Sequence, residues 1–210
     1  MTGVEESCQS IVDTLQAAAK KGLESVKNAI DRNELGDDIC CYAKAPAMLV
    51  SAEEFEYASK VLTTIKGKFL KDDGDFLTDS NDNTGFRKSV KGEYAFFWCY
   101  LNGWIVQAAH TLDDGAILGP KPVEYMRQYI KETPSASAAD GGFLIRTANK
   151  DSDSQDIGDL LNVAHYGMVF LTIGDEATAR KCADLLCAAL DRQPSIQDKL
   201  LVWLGSDGEP

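Results

Sequence analysis

The chain has 210 residues, 44% of them hydrophobic and 26% charged, values ordinary for a soluble globular protein and enough chain for one domain with a full core. A formal net charge of −12, with Lys and Arg scattered along the chain, argues against a nucleic-acid binder or a protein docked on anionic lipid. Both need clustered cations to replace counterions.

The start, Met1-Thr2-Gly3-Val4-Glu5-Glu6, lacks the basic and apolar segments of a secretory signal. No stretch reaches about 18 uninterrupted apolar residues, so the expectation is a soluble, cytoplasmic protein with no membrane insertion. The six cysteines (Cys8, Cys40, Cys41, Cys99, Cys182, Cys187) are expected as free thiols, because three of them fall on apolar helix faces where a reduced Cys acts as a small hydrophobe.

In chain order, Val4, Cys8, Ile11, Leu15, Ala18, Ala19, Leu23, Val26 and Ile30 recur at intervals of three and four and predict one amphipathic surface helix within residues 1–32. A second helix is expected over 40–50, with Pro46 tolerable only in its first turn. Ser51 followed by Glu54 reads as a capping box opening a third helix, whose stripe is Phe55, Ala58, Leu62, Ile65 and Phe69. The chain then turns polar through Asp72, Asp73, Gly74, Asp75 and Phe76 to Gly85, a loop long enough to suggest function.

Residues 93–112 form the most aromatic stretch, a helix carrying Tyr94, Phe96, Phe97, Trp98, Tyr100 and Trp104 and reaching Gln107 and His110. A turn over 113–120 and a short helix over 122–131 follow, then a small-residue linker ending in Gly141-Gly142-Phe143. A helix from about 156 to 173 is stopped by Gly174. Asp175 caps the next, with stripe Cys182, Leu185, Leu186 and Ala189, and an apolar tail at 200–204 is placed to dock on the body. The one strand signal is a pairing of Phe76 and Leu77 with residues 143–145.

Three units of helix, tight turn and amphipathic helix lie within 40–193, their turns about 61 residues apart, and the first helix of each is the more apolar. The fold class expected is therefore all-α, with repeated helical hairpins. Hairpins with apolar inner helices, joined by loops holding Gly74-Asp75-Phe76 and Gly141-Gly142-Phe143, resemble the α/α-toroid superfamily: the squalene-cyclase-like and six-hairpin proteins, including the N-acylglucosamine 2-epimerase group. The resemblance implies a central cavity lined by inner helices and their loops, holding carbohydrate or a polycyclic lipid-like substrate. Three hairpins are about half a ring, so a homo-oligomer completing it is one expectation; the Asp-rich acid motif of the cyclases is missing.

The candidate acid/base residues are His110, His165, Asp75 and Tyr94. An imidazole titrates near neutrality, and a carboxylate beside apolar rings is raised toward the range of a general acid. Aligning the units by their turns puts His165 level with Trp104 and Ala43, about two turns from His110. The candidate substrate-binding residues are Trp98, Tyr100, Trp104, Gln107, Tyr166, Arg87, Phe76 and Phe143. The competing reading is a packed core in which His and Gln bond to carbonyls. Asp151, Asp153 and Gln155 begin like a calcium loop but lack its Gly and final Glu. No Cys/His spacing suits zinc and no Gly motif cradles phosphate, so neither metal nor cofactor is expected. These residues suggest a small-molecule enzyme catalysing cofactor-independent isomerisation, cyclisation or elimination in an aromatic cavity. The alternatives are a non-catalytic helical-repeat binding or scaffold protein and a carbohydrate-active epimerase or hydrolase.

Overall fold

The computed structural model describes residues 2–77, 97–127, 130–132, 143–145, 158–191 and 203–204, with side chains over 8–77, 100–127, 130 and 160–191. Within these residues the protein is helical, and no helix is long and apolar enough to cross a membrane. The chain divides into two compact units, Met1–Gly36 and Asp37–Pro210.

The first unit is one helix, α1 (Thr2–Asp31), whose Ile11, Val12 and Leu15 are exposed. A shallow hollow along Gln9, Asp13, Thr14 and Ala17 belongs to the outer surface of this single helix and gives a ligand no enclosing wall.

The second unit opens with a turn of 3-10 helix, Ile39–Cys41, started by Asp38, whose carboxylate accepts from the Cys40 amide at 2.8 Å. Helix α2 (Ala45–Ser51) follows with Pro46 in its first turn, where the missing N–H leaves no bond unmade. Ser51 does not open the third helix. It is the last residue of α2, and its hydroxyl donates back to the Ala47 carbonyl at 3.0 Å. Glu53, at φ +60°, makes the turn, and α3 (Phe55–Lys68) starts from Glu54 with no side-chain cap. A left-handed residue between Ser and Glu separates the two halves of the apparent capping box.

Helix α4 (Phe97–Asp113) packs between α2 and α6 (Leu160–Thr172), and a short α5 (Lys121–Arg127) lies against it. Partners on two sides explain why α4 is apolar on two sides. Helix α3 backs α2, and α7 (Glu176–Asp191) backs α6. Gly174, at φ +80°, ends α6, and Asp175 caps α7 by accepting from the Thr178 amide at 3.1 Å and hydroxyl at 2.8 Å.

The short extended pieces differ from expectation. Ile130–Glu132 (β1) ends the helical reading of 122–131 and pairs antiparallel with Phe143–Ile145 (β2); its β-branched Ile130 faces Ile145. Phe76 instead bridges to Leu70 in its own loop, where Leu77 also donates to the Phe69 carbonyl at 2.7 Å, so that edge is already occupied. Gly158–Asp159 (β3) pairs with Trp203–Leu204 (β4), which is where the apolar tail returns.

Val106, Met126, Val163, Tyr166, Val169, Phe170, Cys182, Leu185 and Ala189 form one core among α4, α5, α6 and α7. Leu49, Ala58, Leu62, Ile65 and Phe69 are fully buried on α2, α3 and the end of α3. The loops of the first two hairpins are tied together. Lys66 donates to the Ile117 carbonyl and Lys121 to the Asp72 carbonyl, both at 2.7 Å. Gly74, at φ +92°, lets the Lys121 carbonyl approach so closely that any Cβ would overlap it.

Candidate functional site

Two helices meet closely at Gly103. A Cβ there would lie 2.6 Å from His165 Nε2, so only glycine lets the imidazole of α6 lie against the backbone of α4. Tyr100, one turn before Gly103, and Trp104, the residue after it, enclose the ring: centroid separations are 5.0 Å from His165 to Tyr100 and 4.8 Å to Trp104. Tyr100 and Trp104 meet edge to face at 5.9 Å and 83°. The third wall is Lys44, the N-cap position of α2, whose side chain makes no capping bond. Its Nζ stands 4.9 Å from the centroid of Tyr100 and 5.8 Å from that of Trp104. Lys44 is exposed, the two aromatic rings are half-buried, and His165 is 5% exposed.

Burial holds the His165 imidazole down from 6.5 to about 4; the Tyr100 backbone carbonyl opposes this shift and the Lys44 charge adds to it. His165 is thus neutral at neutral pH. The Trp104 indole N–H beside its hydroxyl lowers the Tyr100 phenol, partial burial opposes this, and the Lys44 ammonium lowers it further. The approach of indole to phenol falls short of full hydrogen-bond geometry. Trp104 Nε1 and His165 Nε2 are therefore both buried without a partner.

The register read from the repeats put His165 level with Trp104 and Ala43, and the rings of His165 and Trp104 do meet, beside Lys44. The other candidates lie apart. Gln107 donates to the Thr172 hydroxyl at 3.4 Å. His110 borders a separate cleft of about 490 Å³ with Gly115, Val123, Glu124 and Arg127; its Nδ1 is 3.9 Å from an Asp114 carboxylate oxygen, and Gly115 at φ +80° makes room for its ring. Asp75, expected at a cavity mouth, is 1% exposed. It accepts from Asn102 Nδ2 at 3.2 Å and lies 3.7 Å from Lys71 Nζ, while its backbone N–H donates to Asp73. Tyr166 and Phe76 are fully buried, Tyr166 edge-on to Phe170 at 6.0 Å. Tyr94 and Arg87 lie outside the described residues, and of Trp98 on α4 and Phe143 on β2 only the backbone is described.

Sequence reasoning missed Lys44 and Asn102. An exposed lysine at a helix start resembles every other surface lysine. The one available signal for Lys44 was its place beside Ala43, the residue that the repeat register set level with His165. Asn102, a polar residue inside the apolar run of α4, is 1% exposed and bonded to Asp75. Of the cysteines, Cys8, Cys40, Cys41, Cys182 and Cys187 are free thiols; burial, with the Asp175 charge adding to it, pushes the Cys182 thiol up to about 11. Among the described residues no three His, Cys, Asp or Glu side chains gather as a metal site would require. Comparison with protein-family models, with curated proteins and with solved structures finds no match to this chain.

Proposed function

We propose that this protein is a helical-repeat protein of α/α-toroid type that binds a small organic molecule where α2, α4 and α6 meet. The observation that carries the reading is a pair of buried, unpartnered polar atoms, Trp104 Nε1 and His165 Nε2, beside half-exposed rings and an ammonium. Convergent polar groups on an aromatic wall are what a small-molecule site requires. His110, Gln107 and Asp75 have separate surroundings, which weighs against an acid/base set drawn from them. A melting-temperature screen against a metabolite mixture tests the reading: at least one fraction raises the Tm of the protein, and Trp104→Phe abolishes that rise. No stabilising fraction, or a rise that survives the substitution, overturns it.

The second reading is catalytic: a cofactor-independent isomerisation, cyclisation or elimination with Tyr100 as the proton-transferring group. It is favoured by the lowered phenol of Tyr100 beside the indole N–H and Lys44. Under it, Tyr100→Phe retains ligand binding and loses turnover of whatever compound the screen identifies.

We infer further that a second copy of the chain extends the helical array at α6. That helix has no charged residue and leaves Leu161, Met168 and Leu171 exposed.

A further inference from the structure

We propose that the molecule bound by the Lys44–Tyr100–Trp104–His165 site is a planar organic carboxylate. The inference rests on the small-molecule reading above and adds the sign of the ligand's charge and the shape of its body.

The groups that define the site give hydrogen bonds rather than accept them. A lysine ammonium and an indole N–H have no acceptor capacity, so whatever satisfies Lys44 Nζ and Trp104 Nε1 presents lone pairs. Trp104 Nε1 is buried and makes no full hydrogen bond, the Tyr100 hydroxyl being its nearest approach to one. Lys44 lacks the carboxylate partner that several other lysines have; Lys66 and Lys121 lack one too but bond to backbone carbonyls. Lys27, Lys60, Lys68 and Lys71 each have a carboxylate oxygen within 3.6 Å. Lys44 has none among the described residues, in a chain whose Asp and Glu outnumber Lys and Arg by 33 to 21. Its ammonium rests on two ring faces, which attract a cation without neutralising it.

His165 sharpens the picture. It is 5% exposed, and its Nε2 lies unpartnered against Gly103, with Tyr100 and Trp104 flanking the ring. As a neutral imidazole it supplies one further donor or acceptor and no charge, so Lys44 remains the full charge of the site. The partly exposed rings of Tyr100 and Trp104 suit a flat, apolar body behind the carboxylate. A carboxylate accepting from an ammonium makes a charge-assisted bond, roughly twice as strong as its neutral counterpart.

The test uses the full chain and three probes of one shape and different charge: benzoate, benzamide and benzylamine, titrated by calorimetry and ligand-observed NMR. Benzoate is expected to bind about tenfold more tightly than benzamide, the worth of one charge-assisted hydrogen bond, and benzylamine more weakly than either. Lys44→Met removes the preference for benzoate over benzamide, and Trp104→Phe weakens benzoate by a smaller factor, with circular dichroism establishing that both variants fold. Equal binding of benzoate and benzamide, or tighter binding of benzylamine, overturns the carboxylate and leaves the small-molecule reading standing. Absence of binding by all three also overturns it, and if the metabolite mixture fails to raise the Tm as well, the small-molecule reading falls with it.

Discussion

With a folded pKa of about 4 against the usual 6.5, His165 resists a proton that the unfolded chain accepts. The unfolded state binds more protons between those values, so stability is full above the upper one and is lost as pH falls toward the lower. The difference amounts to roughly 3 kcal/mol. Urea unfolding at pH 7 and at pH 4.5 should show that loss, and His165→Gln should flatten it across this window. Gly103 carries a second residue-scale prediction. A methyl group at this position must displace the His165 ring, so Gly103→Ala costs roughly 1–3 kcal/mol by overpacking and also changes the near-ultraviolet dichroism of Trp104. Unchanged stability and spectrum would show that α4 and α6 separate freely. At this scale the sequence showed which residues share a level but not what lies between them. His165 and Trp104 were placed together by counting from the turns, while the burial of Asp75 depended on Asn102, a partner 27 positions away.

Among the elements, the junction of α6 and α7 concentrates several interactions on one carboxylate. Asp175 caps α7 and also takes a 2.7 Å ion pair from Arg127 of α5, whose guanidinium lies over Phe170. Burial alone would raise its carboxyl, yet the Thr178 amide and hydroxyl and the Arg127 guanidinium together hold it below the ordinary value. Asp175→Ala should therefore cost roughly 1–2 kcal/mol, the worth of a lost cap. Arg127→Ala added to that background should cost less than it does alone, because the pair is already broken; additive losses in a double-mutant cycle would mean that Arg127 acts through Phe170 only. This boundary was legible beforehand, since Gly174 followed by Asp175 is a stop and a start in consecutive residues. The start of α3 was not: Ser51 and Glu54 have capping-box spacing, but the left-handed Glu53 between them leaves no sequence signature of its own. Ile130 was equally ambiguous, because an apolar residue one turn past Met126 fits a helix and a strand alike.

At the scale of the whole molecule, the exposed side of α6 gives the self-association proposal a direct check. Light scattering should show a mass that rises with protein concentration, and Met168→Glu should hold it at that of a single chain. A single-chain mass at every concentration removes the second copy from the account. The all-helical class and the order of the helices followed from periodicity, and the stripes of α2, α3, α4, α6 and α7 fall largely on faces that a neighbour covers, whereas that of α1 is exposed at Ile11 and Leu15. The pairings of β1 with β2 and of β3 with β4 lay beyond such reasoning, being two or three residues long and set by where the chain returns.

The tie between the first two hairpins has a consequence for chain continuity. Lys66 reaches a carbonyl 51 positions ahead, Lys121 one 49 positions behind, and Gly74 admits the Lys121 carbonyl against its own backbone. All of these anchors lie on opposite sides of residues 78–96, and so does the packing of α2 on α4. Each of these contacts joins residues up to 77 to residues from 97 onward, so they hold the two parts of the chain together independently of the covalent link between them.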